Sequence, residues 1–135
     1  MANFVFGDVD QISCSFAGNV YRFYPKANET FNIDPGGIRV NDDMSQVTSD
    51  GQIMRQLNRQ RWKVDGPIAC DTITGAEFNA LNLMSSSPTL GVWQFAMKSG
   101  AIMTAKGSPV GDIALDSNAG TIALTVSGNG TLQTI

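Results

Sequence analysis

Residues 34–63 read DPGGIRVNDDMSQVTSDGQIMRQLNRQRWK, and the charges are sorted along the segment. Asp34–Asp50 holds Asp34, Asp42, Asp43 and Asp50 against Arg39 alone. Gly51–Lys63 holds Arg55, Arg59, Arg61 and Lys63 and no acid. The sequence on either side alternates as short strands do. Compact domains seldom contain so long a connection, and those that do use it for function or leave it disordered. The expectation is a mostly structureless polar arm over residues 34–58 whose separated charges meet complementary surfaces on other copies. Asp34, Asp42, Asp43, Asp50, Arg55, Arg59, Arg61 and Lys63 are the eight candidate intersubunit contacts. Within the arm, Gln52–Asn58 suits a helical turn with Ile53, Met54 and Leu57 on one side. From Arg59 a strand resumes, with Gln60, Trp62 and Val64 on one face and Arg59, Arg61, Lys63 and Asp65 on the other.

Upstream, Gln11–Ala17 places Ile12, Cys14 and Phe16 on one face. Gly18-Asn19 tolerates the positive φ of a tight hairpin turn. Asn19–Lys26 returns as a second strand, and Thr30–Ile33 starts a third. Downstream, Thr74-Gly75-Ala76-Glu77 has the spacing of a capping box. Phe78, Leu81 and Met84 follow at helical intervals, and Ser85-Ser86-Ser87-Pro88 ends the helix. The remaining strands are Leu90–Met97, Ala101–Lys106 (broken by Gly107-Ser108-Pro109), Val110–Asp116 and Thr121–Val126. The expected fold is mainly β, a sandwich or half-barrel of about eight short strands with one α-helix near residues 75–85. One domain over 1–135 is expected.

Composition narrows the function. Charged residues are 16% of the chain, below the usual level of about 25%. That suits either a surface covered by other proteins or a plain neutral one. The net charge of −3 argues against a dedicated nucleic-acid binder. No apolar run is long enough for a membrane-spanning helix, and Met1–Asp8 lacks the basic start and apolar stretch of a secretory signal. The chain has no histidine, which removes the commonest general base and the usual zinc sites. Asp42-Asp43, Asp8 with Asp10, and Asp112 with Asp116 lack the oxygen-rich pattern of a calcium loop. Gly36-Gly37 precedes no Gly-Lys-Ser/Thr, so it is no phosphate loop. Ser13, Ser15 and Ser85–Ser87 have no base partner. No cofactor or metal is expected. Arg55, Arg59, Arg61 and Lys63 around Trp62 combine cations with an aromatic, as a nucleic-acid patch does; the strand alternation instead sets Trp62 opposite Arg61 and Lys63. Cys14 and Cys70 read as buried thiols.

The order of these elements resembles the tail tube proteins of phages, in particular the small tube proteins of contractile-tailed, Mu-like phages. Four stretches carry the resemblance: the hairpin Phe16–Tyr21, the strand re-entry Arg59–Val64, the helix Ala76–Leu81, and the strand, turn and strand of Gly91–Lys106. The family has no catalytic signature, and Gly100 stands here without its frequent Asn-Gly turn. The resemblance implies a non-enzymatic virion protein that forms hexameric rings, with inner sheets joined into one continuous β-barrel. It implies rings stacked head to tail within a sheath, assembled in the host cytoplasm. The lumen would hold the tape-measure protein and later conduct DNA without binding it specifically. Baseplate and tail-terminator proteins would meet the tube ends. The arm would reach an adjacent subunit or ring. Two alternatives stay open: a carbohydrate-binding module stacking sugars on exposed Trp62 or Trp93, and a tube protein of a secretion system or phage-tail-like bacteriocin.

Overall fold

The computed structural model describes residues 4–135; the first three residues of the N-terminal stretch read above against a secretory signal lie outside it. The chain is mainly β, with ten strands and one helix among the described residues. In order these are β1 (Val9–Phe16), β2 (Asn19–Phe23), β3 (Asn32–Asp34), β4 (Gly37–Val47), β5 (Ile53–Gln60), β6 (Trp62–Ala69), α1 (Ala76–Ser85), β7 (Gly91–Met97), β8 (Ile102–Pro109), β9 (Leu115–Asp116) and β10 (Thr121–Thr134). Eight strands form one antiparallel sheet in the order β2-β1-β7-β8-β10-β6-β3, with β9 paired to the start of β10. The remaining two, β4 and β5, pair only with each other.

The sheet curls without closing into a barrel. After β2 the chain crosses to the far side, where Pro25 bridges Ile68 and the Ala69 N–H donates to the Tyr24 carbonyl at 2.8 Å. A row of glycines makes such curvature possible. Gly91 pairs with Gly107, and Gly107 with Gly128, across β7, β8 and β10; Gly128 then faces Trp62 on β6. A Cβ on Gly107 would stand 2.5 Å from the Trp62 ring, and one on Gly91 2.6 Å from the Cys14 sulfur. The missing side chains let the backbones approach and leave room for large rings, a device by which sheets bend.

Those rings form the centre of the core. Trp93 stacks on Phe23 and Phe95, and Trp62 meets Phe95 edge-on. Both indole N–H groups are satisfied by consecutive β8 carbonyls, Trp62 by Lys106 and Trp93 by Gly107, each at 3.1 Å. Buried tryptophan requires such a partner for its N–H. Ile12, Cys14 and Phe16 of β1 point inward as their alternation predicts, as do Ile122, Leu124 and Val126 of β10. Helix α1 lies against β8 and buries Leu81 and Met84 completely, while Phe78 is half-buried.

Three local expectations need correction. Gly107-Ser108-Pro109 continues β8 instead of breaking it, because Gly107 and Ser108 pair with β10. Val110–Asp116 contributes only the two residues of β9, and β10 is fourteen residues long. The capping box does not form: Gly75 is the N-cap, at φ 64° with no side-chain bond. Asp71 organises this turn, accepting from the Ile73 N–H and the Thr74 hydroxyl, while its own N–H donates to Glu77 Oε2.

Candidate assembly arm

Strands β4 and β5, which span most of residues 34–63, form a β-hairpin. Its loop, Ser49-Asp50-Gly51, sets Gly51 at φ 91° and is closed by the Thr48 N–H donating to the Gln52 carbonyl at 2.7 Å. The Thr48 hydroxyl also bonds the Asp50 carboxylate, and this bond holds the Asp50 carboxyl below its usual pKa. The expected structureless arm and helical turn are therefore overturned. Gln52–Asn58 lacked the length of a stable helix, and Asp50-Gly51 between alternating residues is a strong hairpin signal.

The hairpin prolongs the main sheet. Asp34 lies opposite Lys63 in the β3–β6 ladder, and Gly37 lies opposite Gln60 in the β4–β5 ladder, with the register unchanged across the gap. The join is tightly built. The Asp34 carboxylate accepts the Gly36 N–H at 3.0 Å and pairs with the Arg39 guanidinium; these contacts hold its pKa below the usual carboxylate value. The Leu132 N–H donates to the Pro35 carbonyl at 3.0 Å, tying the root to β10. Gly36 has φ 74°, and a Cβ there would lie 2.6 Å from the Trp62 nitrogen and 2.9 Å from the Gln60 carbonyl oxygen. Only glycine fits, since both neighbours are backbone.

Beyond the root the arm adds nothing to the core, whose members all lie outside residues 34–61. Residues opposite each other in an antiparallel pair share a face. Ile38 faces Arg59, Val40 faces Leu57, and Val47 faces Ile53. One face of the hairpin thus carries Ile38, Val40, Val47, Ile53 and Leu57, 45–68% exposed. Arg55 and Arg59 share it by strand alternation. The other face carries Arg39, Asn41, Gln46, Gln56, Asn58 and Gln60, with Met54 among them. A two-stranded ribbon with one apolar side is marginal alone. This one leaves its apolar side in water.

Hairpin geometry also changes the meaning of the sorted charges. The acidic and basic halves run antiparallel side by side, so they are not two separate patches. Asp34 is engaged by Arg39, and Lys63 lies 3.7 Å from Asp65. Asp42 and Asp43 sit in the bulge between Asn41 and Gln46, where the register shifts, and Asp50 is at the tip. Among the described residues, Arg55, Arg59 and Arg61 make no ion pair. The structure therefore gathers all eight candidates on the hairpin and its root, and adds five aliphatic residues that charge patterning did not single out.

Trp62 and Trp93 are fully buried, so neither can stack on a sugar or a base. Cys14 is buried and its thiol is pushed up to about 12 by desolvation; both cysteines are free. Among the described residues, no helix is long and apolar enough to cross a membrane, and no three acidic or cysteine side chains converge as metal ligands. Compared with protein-family models and with curated proteins, the chain matches none.

Proposed function

We propose that this chain is a structural subunit that assembles with copies of itself into a tube, its hairpin arm reaching a neighbouring subunit. The observation that carries the reading is the exposed apolar face of β4–β5 on an arm that contributes nothing to its own core. Such faces on soluble proteins mark interaction surfaces. Fully burying a valine, leucine or isoleucine side chain stabilises by about 1.5–3 kcal/mol. With roughly half their surface left to cover, the five residues supply on the order of 4–8 kcal/mol. Association costs on the order of 4–15 kcal/mol, so one arm contact stands near balance. Several arms engaged at once make the assembly stable and concentration-dependent.

The open edges of β2 and β3 fit the same reading. Pairing them between subunits would extend the curled sheet around a ring and remove edges that otherwise invite aggregation. On the phage-tail resemblance, the assembled tube would sit inside a sheath, enclose a tape-measure protein, end on baseplate and terminator proteins and conduct DNA. A sugar-binding reading has no support from the tryptophans, which are in the core.

The test replaces Ile38–Arg59 by Asn-Gly, a two-residue turn that closes a hairpin, leaving the Gly37–Gln60 pair and the whole core in place. The shortened chain is expected to melt close to the parent yet stay monomeric in sedimentation at concentrations where the parent assembles. Assembly of the shortened chain at the parent's concentration would overturn the reading.

A further inference from the structure

We infer, resting on the assembly reading above, that the apolar arm face docks on a second copy of this chain at the opposite end of its sheet. The receiving surface is built from the Asp71–Glu77 loop and β9. The arm face itself dictates what can cover it. Arg55 and Arg59 stand among its aliphatic residues by the β5 alternation. Two such faces pressed together would gather four arginines in one contact, so like charge disfavours an arm-to-arm pair. The complement needs an apolar centre with acids beside it.

The chain carries that complement at the far end of β6. The arm's root lies where β6 begins at Trp62; the receiving loop follows where β6 ends at Ala69. At about 3.3 Å per residue the two ends stand roughly 25 Å apart. Ile73 is 94% exposed at the centre of that loop. Asp71 and Glu77 flank it and are tied together, since the Asp71 N–H donates to Glu77 Oε2 at 3.0 Å. β9 is held alongside: the Cys70 N–H donates to the Gly120 carbonyl, and the Gly120 N–H to that of Asp116. This brings Asp116, a further carboxylate, to the same end. The Asp71 carboxyl is held below its usual pKa by the Ile73 N–H and Thr74, so it stays anionic at neutral pH. An apolar face bearing arginines thus meets an apolar loop bearing carboxylates. The two patches differ and lie at opposite ends, so each docked copy presents a fresh end to the next, and the contact propagates as a ring or filament.

The test uses two variants of the full chain. One has the arm replaced by Asn-Gly and keeps the receiving end; the other, Ile73→Asp, keeps the arm and loses the apolar centre of the receiving end. Ile73→Lys, run alongside to separate charge from loss of apolar contact, is expected to behave the same way. Each variant alone is expected to sediment as a monomer with a cooperative melt. Mixed, they are expected to form a one-to-one complex that grows no further. Either Ile73 variant assembling like the parent, while the armless chain does not, would overturn the receiving end and leave the assembly reading intact. A mixture that stays monomeric would also overturn it. An armless chain that assembles like the parent would overturn both.

Discussion

Val40 and Leu57 stand directly opposite each other on the apolar face of the arm, so replacing both by threonine is a sharp perturbation. Threonine keeps the strand preference of a β-branched residue, and the hairpin should survive. Val40 is 45% and Leu57 60% exposed, so about half of each side chain remains to be buried on association. Taking about 1.5–3 kcal/mol for complete burial of each, and allowing for the methyl that threonine keeps, the pair loses about 2 kcal/mol per contact. That corresponds to roughly 30-fold in the association constant. The isolated subunit should barely notice, because exposed substitutions usually fall within about 0.5 kcal/mol. Sedimentation velocity over a concentration series measures the first effect and thermal melting the second. The expected result is an onset of assembly shifted upward by one to two decades at unchanged melting temperature. An onset within about threefold of the parent would refute the burial argument. A melting temperature lowered by 10 °C or more would mean that these residues support the subunit's own fold.

Three further outcomes follow from the same geometry. Gly36→Ala forces a Cβ against two backbone groups at φ 74°; strain of this kind costs about 1–3 kcal/mol, and urea unfolding should register it, an unchanged midpoint speaking against the described root. Leu81→Ala should cost about 2–5 kcal/mol and Phe78→Ala clearly less, since Leu81 is fully buried and Phe78 only half; the reverse order in chemical denaturation would place the helix on a different face. Cys14 has a folded-state pKa raised from 9.0 to about 12, so the unfolded chain ionises first: its contribution is complete below about pH 9 and is lost as pH rises toward 12. Cys14→Ala should therefore flatten the decline of stability across that window, and equal slopes for parent and variant would contradict the assignment.

The main sheet was legible where one face is buried. Alternation over Gln11–Ala17 and Thr121–Val126 gave correct inward residues, because the period of a half-buried strand is written directly in side-chain polarity. It failed where backbone pairing, not burial, extends a strand. Ser127–Thr134 of β10 is rich in Gly, Asn and Thr, and its length comes from pairing with β6 and β8. The capping box failed through competition, since Asp71 claims both the Thr74 hydroxyl and the turn. The arm failed differently. Its charges drew attention along the chain, whereas the hairpin folds that order back on itself. Ile38, Val40, Ile53 and Leu57 do alternate, and Asp50-Gly51 marks the turn, so the ribbon and its apolar face were present in the pattern. The glycine row was not legible, because Gly91, Gly107 and Gly128 meet only after three strands have paired.

Self-polymerisation of the proposed subunit is decided by a negative-stain electron micrograph of the purified parent protein at high concentration. The expected images show rings or hollow tubes of one constant diameter, absent from the Asn-Gly arm replacement under the same conditions. A field of dispersed monomers from the parent, or identical tubes from both proteins, would contradict it.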